Sequence, residues 1–415
     1  MTFGNTLPAP TTGPDADLAR RYLPVIRLDA DEPYVPLVMG FTVFRSAAQS
    51  ASCKFEIAPK ADAVIEYAIW YDWDIQHLYD LEHVWVHIDA AGAVVAVEAS
   101  FHGLKVPMDL VGGVPKLEGD RPVLYAEPGK HAHWVDGHAM ALHAGDKITQ
   151  MCGAEAGKEA VHRGNPFFAD GRYGTTPFAD RLARLKMKRD AFVPRFAFDR
   201  SSDDADVVLT DWPTLAAWIP QRVDHLVAHL PVQVPHLGAV FLDCGDTLID
   251  ESTEQKVKGT EIVTTADEIP HAMDAVRELA AKGYALTLVA DGPRATFENL
   301  LKPRGIWDLM QAHVISGDIG ELKPSPKMFA AAMKASGLSD ADRGRVVMVG
   351  NNLSRDIKGA NDFGLQSLFV GWSKRRTHAA ADLSEVPDAR IDRLDHLVSM
   401  IEAMELALDT GGGGQ

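Results

Sequence analysis

Two rhythms of apolar and polar residues divide this chain. In the first half, apolar, β-branched and aromatic runs recur at Val35–Phe44, Ala63–Tyr71, His83–Ile88, Ala93–Phe101 and Pro122–Tyr125, separated by Gly, Pro, Asp and Ala-Gly turns. Such spacing predicts short strands. With no helical stretch between them, they predict an antiparallel sandwich or barrel, here a mainly-β sandwich. A Gly/Pro/Arg/Phe-rich stretch from Asn165 to Ser202 predicts long loops. A helix is expected over Thr214–Leu230, and Pro231-Val232-Gln233-Val234-Pro235 reads as a linker.

The second half alternates. Strands are expected at Val240–Asp243, Ala285–Ala290, Val346–Val349 and Ser367–Val370. Helices are expected at Pro270–Lys282, Thr296–Leu301, Pro324–Ala335, Ser354–Phe363 and Asp395–Leu408. Strand–helix alternation implies βαβ units and a parallel sheet covered on both faces, a Rossmann-like doubly wound fold. The expected organisation is a flexible leader over 1–20, a mainly-β domain over 21–200, a helical linker over 201–236, an α/β domain over 237–409 and a flexible tail over 410–415.

Composition narrows the function classes. With 46% hydrophobic and 24% charged residues, the 415-residue chain has the make-up of a soluble globular protein with room for two domains. Its formal net charge of -17 argues against nucleic acid as a partner. Three scattered cysteines, Cys53, Cys152 and Cys244, form no CxxC pair, which argues against a disulfide framework or a thiolate zinc site. No segment reaches the length of a membrane span and the first residues lack a signal-peptide core, so a cytoplasmic location is expected.

The most informative segment is Ala239-Val240-Phe241-Leu242-Asp243-Cys244-Gly245-Asp246-Thr247-Leu248-Ile249. An apolar run ending in an acid, then a Gly turn and a Thr, either delivers a carboxylate to a sheet edge or closes a strand with an ordinary Asp/Gly turn. Ligands of open parallel sheets bind in the crevice outside the carboxyl ends of the strands. Three other strand ends carry polar groups: Ala290-Asp291-Gly292, Lys323 in Glu321-Leu322-Lys323-Pro324, and Gly350-Asn351-Asn352-Leu353-Ser354-Arg355-Asp356. In order, spacing and flanking hydrophobicity, the stretch Gly238–Leu408 resembles the haloacid dehalogenase superfamily of phosphotransferases.

That resemblance implies that Asp243 attacks phosphorus and forms an aspartyl-phosphate, which water then hydrolyses. It implies Mg²⁺ held by the Asp243 carboxylate and the Gly245 carbonyl, with Asn351 and Asp356 in the metal loop. Lys323 would stabilise nucleophile and phosphoryl oxygens. Thr247 and the turn N–H groups of Asp291 and Gly292 would hold phosphate. Three positions depart from the family pattern. Gly245 stands where a general acid/base is usual, Ala290 where a Ser or Thr is usual, and Asn351 where an acid is usual. Asp246, one step along the backbone from Gly245, aims its side chain elsewhere. The short Glu- and Thr-rich stretch after Ile249 leaves room only for a minimal cap.

In the first half, Tyr71-Asp72-Trp73-Asp74-Ile75-Gln76-His77-Leu78-Tyr79-Asp80-Leu81-Glu82-His83 concentrates carboxylates and imidazoles. They could hold Ca²⁺, Mg²⁺ or Mn²⁺, or serve as rim residues with ordinary surface partners. His77, Asp80 and Glu82 match the His-x-x-Asp-x-Glu metal loop of the necrosis- and ethylene-inducing protein β-sandwich, which this region resembles over Ala63–Trp134. Tyr79 and Leu81 depart from that pattern. Two smaller features remain. Trp372-Ser373-Lys374-Arg375-Arg376 reads either as a contact for an anionic substrate or as a solvated basic turn, and Cys244 reads as a packing residue.

Two functions follow for the whole chain. One is a Mg²⁺-dependent phosphohydrolase acting on a phosphorylated small molecule or macromolecule. The other is a degenerate phosphatase fold that binds a phosphorylated ligand without turnover, fused to a metal-holding β-domain.

Overall fold

The computed structural model describes residues 6–110, 113–161 and 174–408. It divides into two compact units. Met1–Thr175 and Leu182–Gln233 form the first, and Thr176–Arg181 with Val234–Gln415 form the second.

The first unit is built on two sheets. One runs in the order Val208–Asp211, Val38–Phe44, Ala63–Trp73, Leu78–Ile88, Val94–Phe101, Leu104–Pro107. The other runs His133–Trp134, Arg121–Ala126, Val25–Leu28, Arg200–Ser201, with Leu117–Glu118 beside Arg121–Ala126. Alternation along Ala63–Trp73 sets its two faces. Ile65, Tyr67, Ile69 and Tyr71 enter the main core, while Val64 packs with Phe44, Ile57 and Trp85 on the other side.

Several expectations are corrected here. The sheets are mixed rather than antiparallel, because Val25–Leu28 pairs in parallel with Arg121–Ala126 and Val208–Asp211 in parallel with Val38–Phe41. The 201–236 region is no mere linker. Its Val208–Asp211 is an edge strand of the first unit, and the helix Trp212–Gln233 buries Leu215, Ile219, Val223 and Leu230. The leader forms a helix over Pro14–Arg21, with Ala16 and Ala19 buried. Helices also form over Gly137–Cys152 and Pro177–Arg189, the latter inside the stretch expected to be loops. The parts of that stretch before residue 174, residues 1–5 of the leader and the 410–415 tail lie outside the described residues.

The second unit holds one six-stranded sheet in the order Ala312–Ile315, Leu286–Ala290, Ala239–Leu242, Val346–Gly350, Gln366–Val370, Ala389–Ile391. Every pairing is parallel. Val240 and Leu242 face one core, closed by the helices Ala272–Ala281, Arg294–Leu301 and Leu397–Leu406. Ala239 and Phe241 face the other, closed by Pro326–Ala335 and Lys358–Phe363. The sheet is therefore doubly wound, as the alternation predicts. The two outermost strands, Ala312–Ile315 and Ala389–Ile391, carry no apolar run and escape sequence reading. Chain order reverses on either side of Ala239–Leu242, which makes its carboxyl end a switch point. After Ile249 comes a 3₁₀ turn, Glu251–Thr253, and a two-stranded ribbon pairing Gln255–Lys256 with Val263–Thr265. This is the minimal cap.

Candidate active site

At the carboxyl ends of the central strands lies an open cavity of about 960 Å³, walled by Asp243, Gly245, Glu251, Asp291, Lys323, Asn351 and Asp356 among others. Asp243 follows directly on the central strand, and its backbone N–H donates to the Val349 carbonyl at 2.9 Å. That bond fixes where its carboxylate leaves the sheet. From Cys244 the chain makes one helical turn, Leu248 and Ile249 both donating to the Cys244 carbonyl at 2.8 and 3.0 Å. The turn swings Thr247 back, so that its Oγ1 donates to Asp243 Oδ2 at 3.1 Å.

Lys323 is 3% exposed, so its charge must be matched by buried carboxylates. Its Nζ lies 2.7 Å from Asp243 Oδ1, 2.6 Å from Asp356 Oδ1 and 2.8 Å from the Val289 carbonyl. Burial alone would lower its pKa, but Asp243, Asp356 and Asp291 outweigh that and hold the ammonium raised above its ordinary value. Asp356 is placed by a π-helical turn over Leu353–Ile357, where its Oδ2 accepts from the Asn352 N–H at 2.9 Å. Asp291 Oδ1 accepts from the Lys323 backbone N–H at 3.0 Å, and its Oδ2 lies 3.4 Å from Arg355 Nη1. Asp243, Asp291 and Asp356, from three separated motifs, thus converge on Lys323 from a fourth.

Two expected phosphate contacts are modified. The Gly292 N–H is already bonded to Ser316 Oγ at 2.8 Å, a hydroxyl from the next strand end that sequence reading missed. Asp291 serves through its side chain as a support for Lys323.

The departures from the family pattern have structural consequences. Asp246 sits at φ +52 and is fully buried. Its Oδ1 accepts from the Glu251 N–H at 3.1 Å, and its Oδ2 accepts from Ser373 Oγ at 3.1 Å and lies 3.2 Å from Arg375 Nε. It ties two loops together and shares neither Thr247 nor Lys323 with Asp243. The basic turn is exposed, yet anchored at the cavity wall through Ser373 and Arg375. Arg375 Nη2 also reaches Glu251 Oε2 at 2.7 Å, with Arg376 Nη2 at 3.5 Å. A Cβ on Gly245 would overlap Glu251 Oε1 and come within 2.8 Å of its Cδ. Burial, with Asp246 and Asp243 nearby, raises the Glu251 carboxyl above its ordinary value. Glu251 has no motif to mark it in the sequence. Cys244 is buried in the apolar core, and burial pushes its thiol up.

The cavity wall carries a donor set that could hold a metal ion: the Asp243 and Asp356 carboxylates, the Asn351 side-chain oxygen and the Gly245 carbonyl. Asn351 is 4% exposed, and its Nδ2 has no hydrogen-bond partner among the described residues, so the side chain is held at the wall without a protein partner. Two carboxylates with neutral oxygens fit Mg²⁺, which keeps waters and takes substrate phosphate as further ligands.

The first unit gives no comparable set. His77 Nδ1 bonds the Tyr79 carbonyl at 2.9 Å, Asp80 Oδ2 lies 3.3 Å from His131 Nδ1, and Glu82 accepts from Ser100 Oγ. The expected triad is thus divided among separate partners. Among the described residues no group of three or more His, Cys, Asp or Glu could hold an ion.

Residues 245–370 match the family model of the haloacid dehalogenase-like hydrolases. The glyceraldehyde 3-phosphate phosphatase of Methanopyrus kandleri is 31% identical over 140 residues, 34% of this chain and 58% of that protein. The pyrophosphatase PpaX of Bacillus cereus is 26% identical over 178 residues, 42% of this chain and 79% of that protein. A crystal structure of a HAD phosphatase from Thermococcus onnurineus aligns with a TM-score of 0.29 at 26% identity, covering 32% of this chain and 58% of that one. The chain thus spans just over half the length of the Methanopyrus relative. No helix among the described residues is long and apolar enough to cross a membrane.

Proposed function

We propose that this chain, whose C-terminal region is a haloacid dehalogenase-like hydrolase domain, is a Mg²⁺-dependent phosphohydrolase with Asp243 as nucleophile. One observation carries the reading: Asp243 and Asp356 share the buried ammonium of Lys323 at the rim of an open cavity. Such a cluster has a clear use in phosphoryl transfer, where an anion must attack an anion and positive charge must screen the approach. Asp243 attacks phosphorus and the ester or anhydride oxygen leaves. Lys323 holds the attacking carboxylate through Oδ1 and faces the equatorial phosphoryl oxygens. Thr247 orients Asp243 through Oδ2. When bound by Asp243, Asp356, Asn351 and the Gly245 carbonyl, Mg²⁺ would supply further charge neutralisation for the phosphate.

The substrate we assign is a phosphorylated small molecule with a leaving group that needs little protonation, because Gly245 offers no acid beside the nucleophile. A phosphoanhydride, the bond named in the PpaX relative, meets that condition as well as an acyl or aryl phosphate does. The competing reading, ligand binding without turnover, draws on Ala290, which supplies no hydroxyl, and on the Gly292 N–H already engaged by Ser316. Hydrolysis of p-nitrophenyl phosphate by the full chain, with Mg²⁺ or with EDTA, separates the two. Mg²⁺-dependent release of nitrophenol that disappears in Asp243→Asn is expected. Release that persists in that variant, or a wild-type chain with none, overturns the proposal.

A further inference from the structure

The carboxylates lining the cavity divide by what holds them. Asp356 is held by Lys323 and the Asn352 N–H, and Asp291 by the Lys323 N–H and Arg355. Asp246, buried behind the wall, is held by Ser373, Arg375 and the Glu251 N–H. At the outer rim, Asp318 pairs with Arg294, Glu321 with Lys327, and Glu261 with Lys256, which also lies 3.9 Å from Glu254. Among the described residues no histidine lines the cavity. Glu251 differs from all of these. Its Oε2 is held by Arg375 and Arg376, while its Oε1 is turned onto Gly245, into the volume that a side chain two residues after Asp243 would fill.

We infer that Glu251 is the base of this site, its carboxylate standing in for the side chain that Gly245 lacks. The inference rests on the phosphohydrolase reading and adds to it the group that drives the second half-reaction. In that step Glu251 Oε1 removes a proton from a water, and the water oxygen forms a bond to phosphorus. The bond between phosphorus and Asp243 breaks, and its electron pair returns to the Asp243 carboxylate. Phosphate leaves, and the proton passes from Glu251 to solvent. The arginine pair fixes the carboxylate's direction and the backbone bond from Glu251 to Asp246 fixes its height, so the base is preorganised from a loop rather than from the nucleophile's own turn. Gly245 leaves this volume open: a Cβ there would displace the Glu251 carboxylate.

The test uses the full chain with p-nitrophenyl phosphate and Mg²⁺, read by rapid mixing and by intact mass. Glu251→Gln, nearly isosteric, is expected to release about one nitrophenol per chain in a burst and then turn over about 10²- to 10³-fold more slowly than wild type, the range for loss of a positioned base. Its quenched protein should carry one phosphoryl group. Asp243→Asn should give no burst at all. Gly245→Asp alone should lose activity, while Gly245→Asp combined with Glu251→Ala should regain turnover, which a purely structural role for Glu251 would not produce. Glu251→Gln turning over at the wild-type rate, or losing burst and steady state equally, overturns the assignment and leaves the hydrolase reading intact. A wild-type chain that never releases nitrophenol removes both.

Discussion

Lys323 and Asp243, eighty residues apart in sequence, meet as a buried ion pair with Nζ 2.7 Å from Oδ1. With Asp356 on the other side of the ammonium, one cation screens two carboxylates that would otherwise repel each other. Replacing Lys323 by Met leaves both acids buried without a counter-charge. We expect a loss of about 3–5 kcal/mol in EDTA, the scale for breaking one side of a buried ion pair. Added Mg²⁺ should recover part of that loss by taking the place of the ammonium between the acids. Urea denaturation with and without Mg²⁺ checks this, and a variant as stable as wild type in EDTA would contradict it.

Mg²⁺ affinity should respond to charge at the metal loop. Asn351→Asp adds a third carboxylate and is expected to lower the Mg²⁺ concentration for half-maximal turnover by about 10-fold or more. Gly350→Ala should act in the opposite sense, because a Cβ there would overlap the Asp356 carboxylate and displace it. A 10- to 100-fold weakening is the order expected when a ligand's orientation is disturbed. Activity titrated with Mg²⁺ reads both, and unchanged midpoints would remove these residues from the metal site.

Asp246 carries two loads, a left-handed backbone at φ +52 and the anchoring of Ser373 and Arg375. Asn tolerates that backbone conformation and keeps one acceptor, whereas Ala does neither. Asp246→Asn should therefore be milder than Asp246→Ala, by about 1–2 kcal/mol in urea denaturation. Equal losses would mean that backbone strain contributes nothing there.

In the first unit, burial pushes the imidazole of His133 down to about 4. The depressed value means that the folded chain binds this proton less readily than the unfolded chain, whose histidine titrates near ~6.5. Stability from this group is thus complete above about 6.5 and is lost as pH falls through about 4, a total of up to roughly 3 kcal/mol. His133→Gln should flatten the fall in stability between pH 6.5 and pH 4. Thermal unfolding followed across that range decides it, and an unchanged slope would assign the acid sensitivity to other groups.

Much of the second unit was legible because its strands are uninterrupted apolar runs ending in polar residues. Val240, Leu242, Val347 and Val349 read as core from sequence, and Asp243, Lys323 and Asp356 do meet. What escaped were side chains placed by loop geometry. Ser316 and Glu251 belong to no motif, and only the folded turn turns Glu251 onto Gly245. In the first unit, the apolar runs located the five longest strands but could not reveal the parallel partners, since Val25–Leu28 and Val208–Asp211 are short and join strands far away in sequence. His77, Asp80 and Glu82 looked like one cluster on the page. They have separate partners because His131 and Ser100 arrive from elsewhere in the chain.

The place of Ala239–Leu242, inserted between Leu286–Ala290 and Val346–Gly350, has a consequence for biosynthesis. A growing polypeptide presents Asp243 to water well before Lys323, the flanking strand Val346–Gly350 and then Asp356 have been translated. Catalytic competence is therefore a property of the finished sheet. A nascent or truncated product ending before residue 323 would carry Asp243 yet lack the buried ammonium that pairs with it.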